Sequence, residues 1–106
     1  IGTNVEIKNS TIDSKSKLGH YCYIGDSVIG QLVNIGAGAV TCNFDGDKKH
    51  KTHIKSKAFI GSGTMIVAPI IINEGAKIGA GSVLTQDVQK YSLVYGVPAK
   101  KIRDLR

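Results

Sequence analysis

Residues 54–84 read IKSKAFIGSGTMIVAPIIINEGAKIGAGSVL, and their aliphatic side chains keep a six-residue beat: Ile54, Ile60, Ile66, Ile72, Ile78 and Leu84. Upstream the beat runs through Ile1, Ile7, Ile12, Leu18, Ile24, Ile29 and Ile35, with two steps of five. A short fixed period means one unit repeated, and no single unit can bury its apolar side alone. A six-residue period predicts an all-β protein, in which short strands stack into a parallel β-helix.

Three hexapeptides make one triangular coil of about 18 residues. The aliphatic anchors then sort into three columns. The first holds Ile1, Leu18, Ile35, Ile60 and Ile78. The second holds Ile7, Ile24, Ile66 and Leu84, with Thr41 a weak member, and the third holds Ile12, Ile29, Ile54 and Ile72. That predicts about five coils, stacked at the strand spacing of about 4.8 Å. The residue four after the anchor is small or β-branched, as at Val5, Thr11, Cys22, Val28, Ala39, Thr64 and Val88, with Ile70 the large exception. Anchor and fourth residue are expected to point inward. Gly19, Gly25, Gly30, Gly36, Gly61 and Gly79 follow their anchors directly, where they are expected to turn the chain at corners.

Composition agrees with one such domain. A chain of 106 residues with 42% hydrophobic content can bury a core, but 6% aromatic content and no Trp exclude one built on large rings. No apolar run is long enough to span a bilayer, and no signal-peptide pattern opens the chain, so a cytoplasmic protein is expected. The two Cys are compatible with reduced thiols. The net charge of +6 suggests anionic partners, although a solvated lysine surface would also account for it. Nucleic acid is a poor candidate, because no aromatic platform accompanies the lysines. Ile1 already sits on the beat, with nothing before it to cap the first coil. The chain is therefore expected to be a piece of a longer protein, cut inside the solenoid.

The beat breaks once. Thr41 and Ile54 are separated by about seven residues more than the period allows, which places a polar, turn-rich excursion at 43–53, between the second and third faces. Excursions from rigid scaffolds commonly carry function, though a tolerated insertion is the plainer alternative. After Val88 the beat stops. Residues 91–98 are expected to fold over the last coil as part of a cap and tail (91–106), with Lys100–Arg106 a short basic helix or a frayed end.

Two places after the first-column anchors stand Thr3, His20, Ala37, Ser62 and Ala80. These should stack vertically, leaving a narrow groove beside Ala37, Ser62 and Ala80 with His20 at one end. A titratable group there is a candidate for acid–base work; a surface histidine at a corner is the alternative. A Cys22–His20 nucleophilic pair is rejected, because Cys22 occupies an inward position and should be a core thiol. Cys42, beside the excursion, is better read as packing than as reactive.

Gly19-His20-Tyr21-Cys22-Tyr23-Ile24-Gly25-Asp26, Asn34-Ile35-Gly36-Ala37-Gly38, and Thr41-Cys42-Asn43-Phe44-Asp45-Gly46 with Lys49 and Lys51-Thr52 are far more specific than the beat. Together they resemble the acetyltransferase domain of the bacterial bifunctional uridylyltransferase/glucosamine-1-phosphate N-acetyltransferases, within the hexapeptide acyltransferases. The resemblance covers about the first ninety residues and implies a left-handed β-helix, against the usual crossover preference. It also implies a homotrimer with active sites between neighbouring coils. The implied reaction is transfer of acetyl from acetyl-CoA to the 2-amino group of glucosamine-1-phosphate, feeding UDP-N-acetylglucosamine for cell-wall and lipopolysaccharide precursors.

By motif, the resemblance makes His20 the general base. It assigns Lys8, Tyr23, Asn34 and Lys49 to the sugar phosphate or its nucleotide product, and Ala37, Asn43, Phe44, Ser62 and Ala80 to the acetyl-CoA site. Magnesium would belong to the uridylyltransferase domain, which this chain lacks, so no metal is expected here. Two departures stand out. The family's phosphate-binding Arg upstream of Lys8 is absent. Its Arg near the C-terminal end gives way to Tyr95-Gly96-Val97-Pro98-Ala99-Lys100, which is similar to other hexapeptide acetyltransferases, where a lysine region meets the CoA phosphates. Lys100 or Lys101 would then supply that charge. Two alternatives remain in view: a hexapeptide acyltransferase with another amine or hydroxyl acceptor, and a non-catalytic assembly module. A zinc site from His20, His50 and His53 is weaker, because His50 and His53 both lie in or beside the excursion and no accompanying acid and Gln pattern is present.

Overall fold

The computed structural model describes residues 1–106, all of them, as fifteen strands and no helix. The strands form three walls. The first contains β3 (Lys17–Leu18), β6 (Asn34–Ile35), β9 (Phe59–Ile60), β12 (Lys77–Ile78), β14 (Ser92–Gly96) and β15 (Ala99–Asp104). The second contains β1 (Glu6–Lys8), β4 (Tyr23–Gly25), β7 (Val40–Cys42), β10 (Met65–Val67) and β13 (Val83–Leu84). The third contains β2 (Thr11–Ile12), β5 (Ser27–Ile29), β8 (Thr52–Ile54) and β11 (Ile70–Ile72). Every pairing between coils is parallel, apart from β14 with β15.

The anchor columns hold in register. Leu18 lies beside Ile35, Ile35 beside Ile60 and Ile60 beside Ile78. Ile7 lies beside Ile24, and Thr41 beside Ile66. Ile12, Ile29, Ile54 and Ile72 line up on the third wall. From Leu18 onward these side chains are buried and form one continuous aliphatic core. Thr41 can stand in this column because its hydroxyl has a partner: it accepts the Gly25 N–H at 2.8 Å.

Four details depart from the sequence expectation. First, the glycines that follow the anchors are not the left-handed corner residues. Left-handed φ falls at Gly38, Gly63 and Gly81, and also at non-glycine residues such as Asn4, Tyr21, Asp26 and Leu32. Gly19, Gly36 and Gly61 are required by close approach instead. A Cβ on Gly36 would meet the Ser62 backbone N at 2.5 Å, and one on Gly61 would meet that of Ala80 at 2.5 Å. Second, Thr11 and Val28 face outward. They precede their anchors by one residue, and strand alternation turns Ser27 and Thr52 inward instead, whereas Ile70 points inward as expected.

Third, the excursion ends earlier than expected. Thr52 and His53 already belong to β8, in register with Ser27 and Val28, so the loop is Asn43–Lys51. Fourth, the beat does not stop at Val88. Val88 bridges to Ile72 as a third-wall anchor, and Val94 lies beside Ile78 on the first wall. The chain then reverses, and β15 runs antiparallel along β14 where a basic helix or a frayed end was expected.

The contact at Gly36 is between two backbones and has no flexible side chain to yield. Gly36→Ala is therefore expected to destabilise the fold by about 1–3 kcal/mol, read as a lower urea midpoint with an unchanged slope.

Candidate active site

The structure distributes the candidate residues over two corners and one wall. At the corner between the first and second walls, the vertical row predicted from spacing is present. The Tyr21 N–H donates to the Thr3 carbonyl, Gly38 to His20, Gly63 to Ala37 and Gly81 to Ser62, at 2.8–3.1 Å. His20, Ala37, Ser62 and Ala80 are exposed. Their own N–H groups donate to no acceptor within the chain. The row extends one step beyond the expectation. Tyr95 packs over Gly79, and the Gly96 N–H donates to Ser82 Oγ at 3.2 Å, so Gly96 follows Ala80. Lys100 sits just past this end, paired in register with Tyr95. Lys101 is engaged elsewhere, with Asp104 at 2.6 Å and Gln89 at 3.0 Å.

His20 closes the opposite end. The Thr3 N–H donates to His20 Nδ1 at 2.7 Å. With Nδ1 accepting, a neutral ring carries its proton on Nε2. Cys22 takes no part here: it is buried, its thiol lies 3.1 Å from the Gly36 carbonyl, and burial pushes its pKa up.

The second group gathers at the corner between the second and third walls. Its centre is Asp26, which the sequence reading did not single out as a site residue. Asp26 Oδ1 accepts from Asn9 Nδ2 at 2.5 Å, and Oδ2 accepts from Asn43 Nδ2 at 2.6 Å. These bonds, with Lys49 and Lys8 nearby, hold the carboxyl below the usual range. Gly25 lets Tyr23 join them: a Cβ there would meet Asn43 Nδ2 and the Tyr23 hydroxyl at 2.6 Å each. Lys8, Tyr23, Asn43 and Lys49 therefore share one corner, which brings residues expected at the sugar phosphate together with one expected at acetyl-CoA. The available signal was the Gly25-Asp26 pair directly after the anchor Ile24.

The loop is a small ordered hairpin. Phe44 and Lys49 form an antiparallel bridge, and the His50 N–H donates to the Asn43 carbonyl at 2.6 Å. Asp45 accepts from the Lys48 and Asp47 N–H groups at 2.7 and 2.8 Å, and His50 Nε2 lies 2.7 Å from its other oxygen. Phe44 remains 59% exposed at the hairpin's base. Asn34 joins neither group. It lies exposed on the first wall between Lys17 and Phe59. The three histidines are also apart, on a corner, the loop and the third wall, and no group of His, Cys, Asp and Glu able to hold a metal is present. Neither of the two clefts is lined by a residue of the His20 row or of the Asp26 corner, although Lys100 and Lys101 line the first and His53 the second. One, of about 390 Å³, lies under β15 beside Leu84 and Val94, and the other, of about 350 Å³, lies between His53 and Lys90. No helix is long and apolar enough to cross a membrane.

Bonds from the Lys48 N–H, His50 and the Asp47 N–H bring the Asp45 pKa from 3.8 to about 2. A lowered carboxylate pKa means that the hold is complete above about pH 4 and is lost as pH falls through about 2. Amide exchange at Asp47 and Lys48 is expected to be protected at pH 5. Asp45→Ala should abolish that protection, and unchanged exchange in the variant would show that the carboxylate does not order the loop.

Comparison with known proteins adds the family. The bacterial transferase hexapeptide (six repeats) model matches residues 51–86. The bifunctional protein GlmU of Thermodesulfovibrio yellowstonii is 56% identical over 103 residues, covering 96% of this chain and 23% of its own length. The chain thus spans about a quarter of that relative. A point mutant of AntD, an N-acyltransferase from Bacillus cereus solved with dTDP-4-amino-4,6-dideoxyglucose and coenzyme A, superposes with a TM-score of 0.86 at 23% identity, over 100% of this chain and 73% of that one. A serine acetyltransferase solved with cysteine gives 0.81 at 27% identity, over 88% of this chain and 40% of that one. The winding is accordingly the left-handed parallel β-helix of this class. Its repeat, its three-walled coil and its identity to GlmU proteins across nearly its whole length make the chain a hexapeptide-repeat domain.

Proposed function

We propose that this domain transfers acetyl from acetyl-CoA to the 2-amino group of glucosamine-1-phosphate. The observation that carries the reading is the row that starts at His20 and runs past Ala37, Ser62 and Ala80 to Gly96. Small side chains and unpaired N–H groups along it suit an extended thioester cofactor whose amides need partners. Lys100, free at the far end, suits the cofactor's phosphates. The Lys8 and Lys49 charges suit the sugar phosphate, with Tyr23 and Asn34 as directional partners. The relatives named GlmU and the serine acetyltransferase neighbour fit the same chemistry.

In this mechanism the neutral substrate amine attacks the thioester carbon and gives up a proton to His20. As the tetrahedral intermediate collapses and the C–S bond breaks, His20 returns that proton to the sulfur, and coenzyme A leaves as the thiol. His20 holds its proton on Nε2, so it takes up the second one at Nδ1, exchanging Thr3 for the ammonium, or turns its ring to present that nitrogen. An unpaired N–H of the row faces the oxyanion that develops. Holding both substrates side by side supplies much of the remaining rate.

The working unit in this reading is a homotrimer. Wall two presents Val40, Met65 and Val83 outward, with Cys42 and Val67, an unusually apolar face for a solvated sheet. Asn34, stranded on wall one, would complete the site of a neighbouring copy. An acyltransferase whose acceptor carries no phosphate would have no use for the cations beside Asp26.

His20→Ala is expected to lower acetyl transfer by about 10²–10⁴-fold while leaving coenzyme A binding and sedimentation as a trimer intact. Transfer to glucosamine-1-phosphate at the parent rate would remove His20 from the chemistry.

A further inference from the structure

Asn43 poses a question that the acetyl-transfer reading leaves open. It is only 9% exposed, and its Nδ2 is committed to Asp26. Its Oδ1 accepts no hydrogen bond from the chain, yet it is not sealed from solvent, since Thr52 Oγ1 is the one buried polar side-chain atom without a partner. An ionised carboxylate can only accept. Asp26 therefore dictates which end of the Asn43 amide faces it, and the same holds for Asn9. Both carbonyl oxygens are turned away from the carboxylate and accept no hydrogen bond from the chain.

Asp26 also ties three successive coils. Its N–H donates to the Lys8 carbonyl at 3.0 Å, its carbonyl accepts the Thr52 N–H at 3.2 Å, and through Asn43 it reaches the base of the loop that carries Lys49. Lys8 and Lys49 both lie near enough to act on its charge. Without the carboxylate, two cations would face each other across an empty corner.

We propose that Asp26 is a positioning residue for the sugar-phosphate side of the site. It orients the Asn9 and Asn43 amides with their oxygens toward the sugar's N–H and O–H donors, and it keeps Lys8 and Lys49 together before a phosphate arrives. The proposal rests on the acetyl-transfer reading for the identity of the substrate, and on the hydrogen bonds alone for the role of Asp26.

The test is Asp26→Asn, which keeps the size and removes the charge. Losing charge-assisted bonds of this kind predicts a KM for glucosamine-1-phosphate raised about tenfold. The proposal moves Asn43 from the acetyl-CoA site, where the resemblance put it, to the sugar side, so the KM for acetyl-CoA should stay within about twofold and kcat within about threefold. A carboxylate that merely repelled the phosphate would give the opposite sign, so an unchanged or lowered sugar KM overturns the proposal. So does an equal rise in both KM values with a lower unfolding midpoint, which would mark a structural brace. A second arm needs no turnover: the side-chain amide NMR signals of Asn9 and Asn43 should be protected in the parent and exchange freely in the variant. If the parent protein does not acetylate this sugar, the functional reading fails, and the amide signals still decide Asp26. Unaltered signals in Asp26→Asn would end its positioning role.

Discussion

Each coil rests on the next through backbone hydrogen bonds at the spacing of adjacent strands, and at the first corner that approach tolerates nothing larger than hydrogen. Ala37, Ser62 and Ala80 each press their backbone nitrogen against the glycine that follows an anchor one coil earlier. This contact sets the vertical register of the whole corner. It stacks one residue per coil into a straight row, and it leaves the N–H groups of that row without an acceptor in the chain. A straight row of small, exposed residues is therefore a by-product of tight winding.

The interior imposes a looser demand. The column residues such as Ile24, Ile54 and Ile66 need only be aliphatic and of similar volume, with Thr41 the one polar member between Ile24 and Ile66. Thr41 and Ser27 enter where the ladder offers a partner, at the Gly25 N–H and the Gly25 carbonyl, whereas the Thr52 hydroxyl is buried without one. The core fixes the cross-section. It leaves the corners free to differ, and the two corners here differ completely: one is a row of small residues, and the other is a charged cluster around Asp26.

Much of this could be read before any coordinates. The six-residue period gave the three columns and their members, because burial repeats whenever the chain returns to the same wall. The row from His20 to Ala80 followed from the same arithmetic. What the period could not convey was detail finer than its own step. Steps of five shift strand alternation, so Val28 faces out and Ser27 faces in. The step of four from Leu84 to Val88 looked like an ending. Asp26 was invisible to periodicity because its partners, Asn9 and Asn43, belong to the coils on either side, and only the winding brings them within reach. The separation of Asn34 from Tyr23 was hidden for the converse reason: eleven positions apart in the chain, they face different directions.

The reversal into β15 has a consequence for assembly. A stack of parallel strands is a template that could in principle lengthen without limit, coil upon coil or molecule upon molecule. Here the next slot on the first wall is filled by a strand running the wrong way, edged with Lys100, Lys101 and Arg103. The terminal hairpin thus works as a stopper against fibre growth from that end, and so favours association side by side.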